Sequence, residues 1–187
     1  MTAAQLLAAA LAVPCIGAAG IALAHRRPNV REAVTLATAA SLLACVAALV
    51  PVVLAGGVPQ LYLVEMLPGI PLGLRVEPLG MLFALIAAGL WILNSVYSIG
   101  YMRANAEPHQ TRFYVCFALA LAATMGIAFS SNLLTLFLFY EVLTLVTWPL
   151  VTHSGGDEAR RSGRLYLGLL LGTSILFLLP AIIVTWQ

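Results

Sequence analysis

Leu133-Leu134-Thr135-Leu136-Phe137-Leu138-Phe139-Tyr140-Glu141-Val142-Leu143-Thr144-Leu145-Val146-Thr147-Trp148-Pro149 is the stretch that decides the fold. It is apolar almost throughout, and one carboxylic acid sits near its centre. A helix needs about 20 mostly apolar residues to cross about 30 Å of hydrocarbon. The run Leu133–Val151 meets that length, and helical rise sets Glu141 about 12 Å from its start, near the bilayer midplane.

The rest of the chain has the same character. Of 187 residues, 62% are hydrophobic and 9% charged, against about 25% charged in a soluble domain. That excludes an ordinary soluble globule, a disordered segment and a nucleic-acid binder, which needs a basic surface. The sequence predicts an all-α integral membrane protein of six spans, at about Ala3–Ala24, Ala33–Leu54, Leu79–Met102, Phe113–Phe129, Leu133–Val151 and from Arg164 to the C-terminus, with a kink at Pro180. The first span is read as a retained helix, because no Lys or Arg precedes it as a signal peptide requires. Between the second and third spans, Pro59, Pro68, Pro71, Pro78 and four glycines bar a long helix. Short apolar stretches around a Pro-Gly turn there predict an extracytoplasmic hairpin on the membrane surface. Three segments follow: 1–55 with two helices, 56–78 with the hairpin, and 79–187 with four helices.

The basic residues are nine arginines, and the chain has no lysine. Arg26, Arg27 and Arg31 follow the first span, Arg103 and Arg112 the third, and Arg160, Arg161 and Arg164 the fifth. Only Arg75 falls on the other side. The positive-inside rule makes the arginine-rich face cytoplasmic and puts the N-terminus outside.

Among the acids, Glu32, Glu107, Asp157 and Glu158 fall in cytoplasmic connections, and Glu65 and Glu77 in the outer hairpin. Glu141 alone lies within a span. A carboxylate at that depth costs at least about 2.5 kcal/mol, so it is neutralised by a proton or paired with a cation. Thr144 shares its helical face and offers a hydroxyl. Pro149 has no N–H and frees the carbonyl of Leu145, which suits a hydrated path. His153, just past the cytoplasmic end, is either a proton shuttle between bulk water and Glu141 or a solvated interfacial histidine. Glu141 itself is either a relay site or an acid held permanently neutral for packing; intramembrane ionisable residues favour the first. Asn94, Ser95 and Ser98 read as helix-packing groups, Trp91 and Trp148 as packing residues, and His25 and His109 as solvated. Cys15, Cys45 and Cys116 are scattered in apolar runs with no Cys-x-x-Cys or Cys/His spacing, so neither metal nor cofactor is expected. An intramembrane enzyme lacks support: there is no His-Glu-x-x-His pattern and no second membrane carboxylate.

Two stretches carry a resemblance: Tyr97-Ser98-Ile99-Gly100-Tyr101-Met102, and Phe139-Tyr140-Glu141 through Pro149-Leu150-Val151-Thr152-His153. Together they resemble the antiporter-like subunits shared by Mrp-type multisubunit sodium/proton antiporters, membrane-bound hydrogenases and respiratory NADH:quinone oxidoreductase. Gly163-Arg164-Leu165-Tyr166-Leu167 with Leu171-Gly172-Thr173-Ser174 is similar to the start of that family's sixth helix. The wording is nearest the D-type subunit, and the resemblance runs from about Leu74 onward. It implies residence in a bacterial or archaeal plasma membrane among other membrane subunits. It also implies that Glu141 matches the family's fifth-helix glutamate, which faces a lysine on a later helix. Approach of the lysine favours the ionised acid; its withdrawal favours the protonated one. The family's repeats are inverted, with broken helices at their centres. Here the sequence stops before the lysine-bearing helix. The expectation is a split or truncated subunit that contributes Glu141 to a path completed by another chain and does not transport alone. The alternative is a non-conducting assembly subunit.

Overall fold

The computed structural model describes residues 2–185 except 68 and 154. The chain forms α1 (Ala3–Leu23), α2 (Pro28–Leu54), β1 (Gln60–Leu67), β2 (Ile70–Arg75), α3 (Pro78–Ala104), α4 (Gln110–Ala128), α5 (Leu133–Val151) and α6 (Asp157–Thr173). A widened π-type turn at Ser174–Leu178 continues α6 into α7 (Leu179–Thr185). Six of these helical stretches are long and apolar enough to span a membrane, the last being Asp157–Thr185 taken as one. The all-α multi-pass fold is the one expected.

The ends of the helices have local causes. Thr2 caps α1: its hydroxyl accepts from the Gln5 amide at 3.3 Å while the Gln5 side chain accepts from the Thr2 amide at 2.8 Å, a reciprocal capping box. Pro28 and Pro78 open α2 and α3, where a missing N–H costs nothing. The Asn132 side chain caps α5 by accepting from the Thr135 amide at 2.8 Å. Two boundaries differ from expectation. α2 starts at Pro28 and α6 at Asp157, so Arg31, Glu32 and the Asp157–Arg164 segment lie in helix rather than loop. Charges in the first turns of a spanning helix are tolerated because they pair there or reach the interface. The break near Pro180 is the π-type turn just before it.

The first four helices enclose the core. α1 packs on α2 and α4, and α2 on α3. Leu7, Ile21, Leu42, Val46, Leu49, Trp91, Tyr114, Met125 and Phe129 are buried there. Trp91 is thus a packing residue, and Ser95 and Ser98 are buried beside it on α3. Small residues set the helix spacing. A Cβ at Gly17 would strike Thr38, one at Gly80 the carbonyl of Ala128, and one at Gly126 the ring of Phe139.

β1 and β2 form the antiparallel hairpin expected outside, with Gly69 of its turn at φ +81°; Pro68 lies outside the described residues. The hairpin rests on the α4–α5 turn: the Arg75 amide donates to the Phe129 carbonyl at 2.6 Å, and the Asn132 side-chain amide donates to the Pro71 carbonyl at 2.8 Å.

At the opposite end the three arginine-bearing connections meet. Arg31 donates to Gln110 at 2.7 Å and to Thr111 at 3.1 Å. Arg103 donates to Glu32, and Arg112 donates to the His153 carbonyl at 3.1 Å. Eight arginines therefore share one face, and Arg75 lies on the other.

Candidate functional site

Glu141 stands one residue before the midpoint of α5 and is half-buried within this chain. Its neighbour across the helix pair is Ser174, the first residue of the π-type turn. The Ser174 hydroxyl donates to Glu141 Oε1. It also lies 3.1 Å from the Leu171 carbonyl of its own helix. Ser174 is buried, at 5% exposure, and Glu141 is half-buried, so the contact is partly enclosed.

The two contacts of Ser174 have a chemical consequence. A hydroxyl carries one proton and two acceptor lone pairs. With Glu141 ionised, Ser174 O–H points at the carboxylate. With Glu141 protonated, its O–H points at Ser174 Oγ, and the Ser174 proton turns to the Leu171 carbonyl. Both protonation states are hydrogen-bonded without movement of either backbone. Ser174 is inconspicuous in the sequence, because its partnership depends on a turn of helical geometry that hydropathy does not encode. The one available signal was a Thr173-Ser174 pair inside an otherwise apolar span.

Thr144 is buried one turn from Glu141, but its hydroxyl donates to the Tyr140 carbonyl at 3.0 Å. The bond expected from Thr144 to the carboxylate is not formed; a threonine inside a helix is close enough to bond back to the carbonyl four residues earlier. Thr147 and Thr152 do the same, with the Leu143 and Trp148 carbonyls. Pro149 sits inside a continuous α5 and lines an open cleft at the arginine-rich end.

His153 lies twelve residues beyond Glu141, about 18 Å along the helix axis. The structure does not bring the two together. Both ring nitrogens of His153 are enclosed without a hydrogen-bond partner, and the ring packs edge-on to Phe113 with centroids 6.0 Å apart. Burial pushes the imidazole below its ordinary range; Arg112 pushes the same way and Glu107 opposes. His153 is therefore not the freely solvated histidine of one sequence reading, whereas His25 and His109 are exposed as expected.

A second polar group, at the arginine-rich end, escaped the sequence reading. Glu32, read as a loop acid, is 6% exposed and Arg31 is 5% exposed. Arg103 grips Glu32 through two nitrogens, at 3.0 and 2.5 Å. Arg31 lies 3.6 Å from the same carboxylate and stacks over the Tyr114 ring at 5.3 Å. This network ties the starts of α2 and α4 to the end of α3. Among the described residues, no His, Cys, Asp or Glu cluster has the arrangement of a metal site.

Residues 68–114 match the family model described as NADH-Ubiquinone oxidoreductase (complex I), chain 5 N-terminus. The chain is 32% identical over 84 residues to the A1-type subunit of the Na(+)/H(+) antiporter of Staphylococcus aureus (strain bovine RF122 / ET3-1). It is 33% identical over 85 residues to the A-type subunit of the Na(+)/H(+) antiporter of Alkalihalophilus pseudofirmus. Over these stretches the chain is similar to antiporter-like membrane subunits. These alignments cover 45% and 46% of this chain but 10% of each relative's length. The family match ends before Glu141. The sequence wording leaned to the D-type subunit of these antiporters, whereas both of these relatives are of the A type. In fold, the chain matches part of the membrane-bound sulfane sulfur reductase, an archaeal respiratory membrane complex, with TM-score 0.75 and 20% identity over 92% of this chain and 37% of that one.

Proposed function

We propose that this antiporter-like chain is a proton- or cation-translocating membrane subunit of a multisubunit complex in a bacterial or archaeal plasma membrane, and that Glu141 is its protonation site. The observation that carries the reading is the Glu141–Ser174 contact beside the Leu171 carbonyl. An acid kept permanently neutral needs one acceptor. Here each protonation state has its own hydrogen-bonding arrangement, which supports a carboxyl that gains and releases a proton in place. A glutamate at the centre of a span is costly unless it has such a role.

Thr144, Pro149 and His153 have supporting roles in the proposal. Thr144 adds a dipole on the acid's face, Pro149 leaves the Leu145 carbonyl free toward the cytoplasmic cleft, and His153 stands at the entrance. The threonine hydroxyls between the two ends point to their own helix, so water completes the path across the intervening distance. The counter-charge in this proposal is a lysine outside these 187 residues, which hold none.

A non-conducting assembly role has one observation in its favour: the Ser174 bond also suits an acid that never ionises. Replacing Glu141 by Gln separates the readings. In the assembled complex, E141Q is expected to abolish coupled ion transport while the subunits still co-purify. Undiminished transport by that variant would overturn the proposal and leave the assembly role.

A further inference from the structure

At the cytoplasmic ends of α4, α5 and α6 the surface opens into a cleft of about 840 Å³. Arg112, Arg160, Arg161 and Arg164 line it, with Trp148 in its wall and Asp157 the one acid among the lining residues. Arg160 and Arg164 are one helical turn apart, so both face the same way. Arg112 comes from a different helix. The positive charge is not used within the chain: among the described residues, none of the four arginines forms a salt bridge. Arg103, on the same face of the membrane, is by contrast committed to Glu32.

The chemistry of the cleft selects its occupant. Guanidinium forks match phosphate oxygens through paired hydrogen bonds. The half-buried indole of Trp148 and the ring of Pro149 offer an apolar surface beside them. In the topology read from the arginines, the cleft lies at the cytoplasmic ends of the spanning helices. Basic clefts between spanning helices on the cytoplasmic side suit phospholipid head groups. Four guanidiniums against one carboxylate leave more charge than a single phosphodiester neutralises. We propose that this cleft binds a phospholipid with two phosphodiesters, shared between Arg112 on α4 and the Arg160/Arg164 pair on α6, with its glycerol and acyl portion against Trp148. The lipid would fasten α6, which rests on α5, to the packed part of the bundle.

The test uses the full chain in neutral detergent. Binding of cardiolipin, of phosphatidylcholine and of inorganic phosphate is measured by native mass spectrometry. Cardiolipin is expected to bind at least roughly tenfold more tightly than phosphatidylcholine. R160Q/R164Q is expected to weaken it about 30-fold, from two lost phosphate contacts. R26Q/R27Q removes the same charge from the same face and is expected to leave affinity within about twofold. All four substituted side chains are exposed, and the wild-type lipid preference is a test independent of the variants. Equal binding of phosphatidylcholine, equal loss in R26Q/R27Q, or displacement of cardiolipin by millimolar phosphate would overturn the proposal.

Discussion

The two ends of this chain are equally apolar in sequence and are built differently. In α1–α4, fully buried leucines, alanines and a tryptophan form a continuous core, and glycines meet the neighbouring helix at contact distance. In α5, the buried residues are Thr135, Phe137 and Thr144. In the α6–α7 stretch they are Gly163, Ser174 and Ile182. The first region buries more of its side chains, although α3 still presents Leu79, Leu82, Leu90 and Leu93 outward. The second presents Leu165, Leu169, Leu176 and Phe177 outward as well, and it holds Glu141, the acid near the middle of a spanning helix. Apolar composition thus shows that a helix belongs in the membrane, and packing shows which helices hold one another. The site proposed for ion movement lies in the loosely covered part, where a partner subunit has room to approach.

The same substitution made in both regions is the strongest way to break this comparison. Gly80→Leu forces a side chain onto the Ala128 backbone carbonyl and is expected to cost about 3 kcal/mol or more. Gly168→Leu meets nothing within 4 Å and is expected to stay within about 0.5 kcal/mol. Thermal unfolding of the two variants in detergent reads the difference; equal losses would deny that the regions differ. Next, Arg103→Gln leaves Glu32 buried beside Arg31 alone. It is expected to lower the unfolding temperature, by less than the loss of a fully enclosed pair would, because the Arg103 side chain is 49% exposed.

A smaller effect is expected at Ser174. Ser174→Ala should slow transport severalfold without lowering the unfolding temperature, and Ser174→Thr, which keeps the hydroxyl, should restore the rate. A stability loss with unchanged transport would make Ser174 a packing residue only. The smallest effect concerns His153. Burial holds its folded pKa below the ordinary 6.5, so the unfolded chain binds the proton more readily. Stability is therefore complete above that ordinary value and declines as pH falls below it. Unfolding temperatures between pH 7.5 and 5.5 should fall slightly more in the wild type than in His153→Gln.

The legibility of the sequence follows the same division. α5 was readable to its end residues, because a mostly apolar run of spanning length fills it between two polar turns. The starts of α2 and α6 were not, since charged first turns look like loop until their pairing partners are known: Glu32 needs Arg103, 71 residues away. Glu141 was conspicuous as the only acid in a span. Its partner was not, because Thr144 is near in sequence but bonds to its own helix, while Ser174 is brought close only by the turn at Ser174–Leu178. The acid is legible from depth alone; what it touches is a tertiary fact.

The central claim concerns the protonation of one carboxyl group, and infrared difference spectroscopy reads it directly. In the assembled complex, a carboxylic C=O band absent from E141Q should appear and vanish as the pH is stepped across turnover conditions. A Glu141 band that keeps constant intensity throughout turnover would contradict the account.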